Sequence, residues 1–344
     1  MKRLNIPVNK LAKETGLSPA TVSRVLHHRE LVNQETILIV EKKLKEYGYD
    51  PEELVKLESD ASKRIITVVL PSIINPFYYK ILKGIESSAS SHSFEVVIYQ
   101  NTITSSNVDK FLKVVQMTNT RGVICLSRKL DRDTADRIFE HIPLVQCCEY
   151  NSESAAPYVG INDYAAAKGA VDYILNMGYK KIALINGPIM YNYAQERLRG
   201  FEAALESRAI SIPRSWKISL PDVAYDLGYS AACQLLGSGE KPDAVFCAAD
   251  VFAASVIKAA NRFNQRIPED LGVVGFDNIE MASITTPGLT TINQPSFQTG
   301  FTAAESIFEL LYSNTKPRSI LLDTELVSRD SIARRTPHPR IGWS

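Results

Sequence analysis

The chain has 344 residues, 45% hydrophobic and 22% charged, which excludes disordered and collagen-like classes and gives length for two or three domains at roughly 150 residues each. Lys and Arg total 39 against 38 Asp and Glu, so the formal charge of +1 declares no polyanion partner for the molecule as a whole. The five cysteines, two of them adjacent at Cys147 and Cys148, have no C-x-x-C spacing and argue against disulfides and a zinc site.

The average charge hides a division. Residues 1 to 30 carry Lys2, Arg3, Lys10, Lys13, Arg24 and Arg29 against Glu14 and Glu30, a balance of +4, whereas residues 31 to 60 carry −4. Within the basic stretch, Leu11, Ala12, Thr15 and Leu17 predict a short helix stopped at Gly16. Ser18 can cap a second helix, Pro19 suits its first position, and Val22, Val25 and Leu26 make its apolar stripe. Two short helices across a glycine turn make a helix-turn-helix. Asn33 then caps a third helix with Ile37, Val40, Leu44 and Tyr47 on one face and Gly48 as its stop. The polar, acidic stretch 49–63 reads as a linker or weak helix.

Beyond residue 63, β-branched runs at 65–70, 94–99, 122–126, 143–147, 158–161, 181–185, 244–247 and 271–275 alternate with helical patterns such as 77–90, 163–177 and 250–263. Alternation of this kind predicts parallel sheets covered on both faces, here two successive doubly wound halves. The crevice facing the carboxyl ends of the strands is the default ligand site.

The segment Val8 to Leu26, with its Ala12-x-x-x-Gly16-x-Ser18-x-x-Thr21-Val22-Ser23-Arg24 spacing, resembles the helix-turn-helix of the LacI/GalR family of bacterial transcription regulators. The second helix of such a motif enters the major groove with its N-terminal residues nearest the bases. Ser18, Thr21 and Ser23 offer hydroxyls to phosphate or base edges, and Arg24 can contact guanine with both arms of its fork. The resemblance places the specificity readers at Pro19 and Ala20, whose contacts must be apolar, and extends the DNA-binding set to Val8, His27, Lys56 and Leu57. His27 also suits a purely solvated position.

In the body, Asn75-Pro76-Phe77-Tyr78, Gly187-Pro188, Glu196-Arg197-Leu198-Arg199-Gly200-Phe201, Gly275-Phe276-Asp277-Asn278-Ile279 and Thr286 to Pro295 are similar to landmarks of the same family. The resemblance implies an N-terminal all-α helix-turn-helix head (1–48), a hinge (49–63) and an α/β periplasmic-binding-protein-like core of two doubly wound parallel-sheet subdomains (64–344). Crossovers would fall near 162, 291 and 323, giving subdomain one as 64–162 with 292–323 and subdomain two as 163–291 with 324–337. Carried over residue by residue, the effector site comprises Arg197 and Asp277 as a charged pair, Phe77 and Tyr78 as an aromatic wall, and Tyr150, Tyr193 and Asp250. Read from local pattern alone, Phe77 also suits a core position and Asp277 a turn cap beside Asn278.

These features imply a cytoplasmic homodimeric repressor that binds a pseudo-palindromic DNA operator and a small polar effector, a sugar or sugar derivative, with no cofactor, metal or membrane partner. The first ten residues lack the apolar core of a signal peptide, no run approaches the ~18 residues of a membrane span, and no Leu heptad follows residue 330. An α/β enzyme is the competing class, but the chain has no G-x-S-x-G elbow, no phosphate-binding glycine loop and no clustered histidines. An exported solute-binding protein shares the implied core but not the basic head.

Three departures from the family pattern bear on mechanism. Asn162-Asp163 replaces the usual Asp-Asn, Ala249 replaces Asn before Asp250, and the hinge keeps Tyr49-Asp50-Pro51 but carries Glu52, Lys56 and Glu58. A carboxylate at the position of the family's minor-groove wedge is unfavourable in that narrow, negative groove, so insertion is weak, absent or shifted to Leu57. For a shifted wedge, Leu57→Ala weakens operator binding and reduces operator bending in a gel-mobility assay; unchanged affinity and bending rule that version out.

Overall fold

The computed structural model describes residues 8–19, 21, 22, 25, 32–47, 64–313 and 317–335. It separates into two compact units, residues 1–64 and 65–344.

In the first unit, the helix Val8–Thr15 ends where the sequence places a stop: Gly16 has φ +69° and the Leu17 amide donates to the Ala12 carbonyl at 3.1 Å, closing the last turn. Ser18 caps the following helix by accepting from the Thr21 amide at 3.0 Å, and its described residues 19, 21, 22 and 25 are helical. The third helix, Gln34–Glu46, is capped by Asn33, which accepts from the Thr36 amide at 2.9 Å. Leu11, Ala12, Val22, Val25, Val40 and Leu44 form one buried cluster. Glu14 accepts from the Tyr47 hydroxyl, which ties the first helix to the end of the third and lowers the Glu14 pKa.

The second unit contains two six-stranded sheets. Strands β1 (Ile65–Leu70), β2 (Glu95–Gln100), β3 (Thr120–Cys125), β4 (Leu144–Cys147) and β5 (Tyr158–Ile161) build the first. Strands β6 (Ile182–Asn186), β7 (Lys217–Ser219), β8 (Ala244–Cys247), β9 (Gly272–Asp277) and β10 (Thr290–Asn293) build the second. Then β11 (Ile320–Leu322) returns to the first sheet and β12 (Glu325–Val327) to the second, giving orders β11-β5-β4-β3-β1-β2 and β12-β10-β9-β8-β6-β7. Every pairing is parallel except β10 with β12. The central strands are buried over nearly all of their length, as a sheet sandwiched between helix layers requires. The short strands β7, β11 and β12, three residues each and partly exposed, carry too little apolar pattern to be recognised in sequence.

The chain passes between the sheets after β5, after β10 and between β11 and β12. Beyond the first passage the helix Asp163–Asn176 packs against the helix Asn192–Glu206. Gly200 makes that approach close: a Cβ there would sit 2.4 Å from the Tyr164 carbonyl oxygen. Among the described residues no helix is long and apolar enough to cross a membrane, and no group of His, Cys, Asp and Glu is arranged to hold a metal ion.

Since the two nearest atoms that a Gly200 side chain would meet are backbone, Gly200→Ala must push the two helices apart. The expected cost is about 1–3 kcal/mol, read as a lower melting temperature; an unchanged melting temperature refutes the close-packing account.

Candidate functional site

In the head, Ser18 and Pro19 are exposed and Thr21 is half-buried, at the start of the second helix. The Ser18 and Thr21 hydroxyls lie 2.8 Å apart, so each is engaged by the other in addition to the cap. Val8 opens the first helix. Ala20, Ser23, Arg24, His27, Lys56 and Leu57 lie outside the described residues.

In the body, a cavity of about 320 Å³ lies between the two sheets at the carboxyl ends of their strands. Its volume is at the lower end of that for small-molecule sites, roughly 300–1,000 Å³. Phe77 and Tyr78, at the start of the helix Phe77–Ser91, form part of one wall with rings 5.5 Å apart. Tyr191 and Tyr193 line it from the second subdomain, 5.8 Å apart. Burial pushes the Tyr78 and Tyr193 hydroxyl pKa values up, further from ionisation.

Arg197 is the centre of the polar part. It projects from the helix Asn192–Glu206 and is 5% exposed. Its Nε donates to Asp163 Oδ1 at 2.8 Å, and Nη1 donates to the Ala248 carbonyl at 2.6 Å and to Asp277 Oδ1 at 3.5 Å. The guanidinium lies 3.6 Å from the Phe276 ring centroid and 4.8 Å from that of Tyr193. Gln294, on the passage after β10, donates to Asp277 Oδ1 at 2.7 Å. Nη2 has no protein acceptor among the described residues, which leaves a donor for an oxygen from outside.

Asp277 ends β9 with φ +109° and Asn278 follows at +51°, a left-handed pair that turns the chain sharply at the cavity edge. Burial raises the Asp277 pKa to about 7 against the opposing pull of Arg197 and Gln294. Burial also raises the Asp163 pKa, and Arg197 opposes it.

A second carboxylate arrangement joins the two subdomains. Glu149, just after β4, accepts from the Tyr193 amide at 2.9 Å and the Asn192 amide at 2.8 Å. These are free N–H groups at the start of the helix that carries Arg197, so a side chain of the first subdomain caps a helix of the second. Lys80 makes a further bridge by donating to the Asn278 carbonyl at 3.2 Å.

Phe77, Tyr78, Tyr193, Arg197 and Asp277 thus line one cavity, whereas two carried-over residues do not. Tyr150 stacks on Tyr158, centroids 4.1 Å apart, and lines a separate polar pocket of about 190 Å³ with Asn162 and Glu196. Cys148 has φ +65°, and this left-handed residue leaves Cys148 and Glu149, not Tyr150, on the cavity. Asp250 is fully buried: it accepts from the Ile279 amide at 2.9 Å and the Thr291 hydroxyl at 2.6 Å, holding the loop after Asp277 instead of facing the cavity. Among the cavity residues absent from the effector site read in the sequence are Glu149, Asp163, Tyr191 and Gln294. Asn162-Asp163 had been visible only as a departure from pattern; Asn162 caps its helix and Asp163 holds Arg197.

Burial also pushes the Glu149 carboxyl up to about 7, far above its ordinary value near 4.5. A carboxyl raised by folding stabilises the native state fully below its unfolded pKa, and that contribution is lost as pH rises through 7. Glu149→Gln therefore gains stability relative to the parent between pH 5 and pH 8, measured as the difference in melting temperature. A difference that does not change with pH contradicts the assignment.

Two family models match the chain: bacterial regulatory proteins of the lacI family over residues 9–52 and the periplasmic binding protein-like domain over 171–332. The HTH-type transcriptional repressor CytR of Escherichia coli K12 is 32% identical over 323 residues, 93% of this chain and 94% of that protein. A LacI family transcriptional regulator from Enterococcus faecium, solved with bound ribose, is 25% identical with a TM-score of 0.70, covering 79% of this chain and 100% of that one. The lac repressor dimer bound to operator and the anti-inducer ONPF shares the fold at 23% identity, with a TM-score of 0.74 and coverage of 95% and 99%. With a relative this similar over nearly its full length, the chain belongs to the LacI family of bacterial regulatory proteins: it is a DNA-binding transcriptional repressor controlled by a small-molecule effector.

Proposed function

We propose that this repressor acts in the cytoplasm as a non-enzymatic homodimer. Two heads bind a pseudo-palindromic operator, and a sugar or sugar derivative binds in the body cavity. The single observation that carries the ligand reading is the Arg197 cluster: a guanidinium held by Asp163, Asp277 and the Ala248 carbonyl beside an aromatic wall. Aromatic rings suit the apolar face of a sugar ring, while the guanidinium, carboxylates and the Gln294 amide suit its hydroxyls.

The exposed apolar residues Ile73, Ile74 and Tyr79, with Val97 and Ile98 on the edge strand β2, support a dimer face on the first subdomain. An unprotected apolar edge of this kind favours pairing with another chain. The Glu149 cap and the Lys80 bridge are cross-subdomain contacts that a rotation of one subdomain against the other would make or break. A ligand that favours one arrangement shifts the equilibrium between them, and its coupling to the operator is reciprocal.

The test combines thermal shift with operator binding. A ligand at a hundred times its Kd stabilises the parent by about 2.7 kcal/mol and alters its operator affinity. Arg197→Ala loses both responses. Equal stabilisation of both proteins by the same compound removes Arg197, and with it the cavity, from effector recognition.

A further inference from the structure

We infer that the effector carries no phosphate or carboxylate group, and that the cavity selects uncharged, donor-rich or cationic molecules. This rests on the cavity being the effector site and adds a charge rule to it.

The first ground is the charge inventory. Among the described residues lining the cavity, Arg197 is the one cation, against Glu149, Asp163, Asp277 and, at the exposed rim, Asp222. Arg197 is already opposed by two of these carboxylates, at 2.8 and 3.5 Å. Its remaining Nη2 donor can serve a hydroxyl or carbonyl oxygen, but it brings no uncompensated positive charge to an anion.

The second ground is the use of the helix ends. Amides at a helix N-terminus are the usual anion receptors of α/β folds. At three of the helices that begin at this cavity, a side-chain oxygen of the protein already takes a first-turn amide. Asn75 Oδ1 accepts from the Phe77 amide at 3.0 Å, and Asn162 Oδ1 accepts from the Ala165 amide at 3.0 Å. Glu149 occupies the amides of Asn192 and Tyr193. At that third start an incoming phosphate would have to displace a carboxylate and then remain beside it.

The third ground is acceptor excess. Glu149, Asp163 and Asp277 accept from the amides of Lys129, Asn192 and Tyr193, from Arg197 and from Gln294, about one donor per oxygen, so lone pairs remain for further donors on three acids crowded around one cavity, and burial has pushed Glu149 and Asp277 up to about 7. Hydroxyl, amide or ammonium hydrogens on a ligand relieve this crowding, whereas a further anion worsens it.

Matched scaffolds test the rule. Ribose and ribose 5-phosphate; glucose, glucosamine and glucose 6-phosphate; and nucleosides with their 5′-monophosphates are compared by thermal shift, calorimetry and operator binding with the full-length protein. For every scaffold that binds, the phosphorylated form is on the order of 100-fold weaker than its parent, as like-charge juxtaposition dictates. Asp222→Asn, at an exposed position that does not endanger folding, and Glu149→Gln each narrow that gap. A phosphorylated form that binds as tightly as its parent, or a gap unmoved in both variants, overturns the charge rule and leaves the effector reading standing. If no scaffold in any form shifts either readout, the effector reading of the cavity falls with the rule.

Discussion

A guanidinium buried to 5% exposure would be costly without partners, and the body is arranged around supplying them for Arg197. Asp163 comes from the first residue of one helix, Asp277 from the last residue of β9, and the Ala248 carbonyl from the residue after β8. Their convergence requires the Asp163 and Asn192 helices to touch, which the missing side chain of Gly200 permits, and the residue after β8 to lie beside the end of β9, which the register of Ala244 with Gly272 brings about. Phe276, in the same strand as Asp277, supplies the ring beneath the charge. One cation thus fixes the relative position of two helices and two strand ends in the second subdomain.

Glu149 gives that arrangement its reach into the first subdomain. Its two amide partners precede Arg197 on the same helix, so movement of the helix disturbs the cap and the guanidinium together. A ligand that engages Arg197 therefore acts on a helix whose other end is held from across the cavity. This is a physical basis for coupling ligand to subdomain rotation, because each subdomain is a close-packed body and the bonds between them are few, polar and exchangeable.

The alternation of strands and helices was legible in the sequence because parallel strands buried on both faces must be continuous apolar runs, as in Ile65–Leu70 and Ala244–Cys247. Helix ends were legible where a cap chemistry marks them, as at Gly16, Ser18 and Asn33. Arg197 and Asp277, each picked out by a sequence motif, come together on the one cavity. It was misread where a backbone feature intervenes: the left-handed Cys148 exchanges the places of Tyr150 and Glu149, and no residue type at 148 signals that turn. Asp250 was misplaced for a different reason. Its position at a helix start beside the cavity suits a ligand, but the Ile279 amide and Thr291 hydroxyl reach it first.

The substitution of Asn162-Asp163 for the family's usual order changes the division of labour at the first passage between the sheets. With Asn at 162, the helix cap is a neutral side chain, and the acid one position later sits in the first turn, where the helix N-terminus favours negative charge. That position also brings the carboxylate onto Arg197 Nε instead of leaving it exposed like Asn162. Exchanging the two would place a carboxylate at the exposed cap and an amide against the buried guanidinium, leaving Asp277 as the nearer compensating charge at 3.5 Å. With Asp at 163, the buried arginine is compensated within the protein by two carboxylates, at 2.8 and 3.5 Å, the nearer of them supplied by the departure from the family pattern.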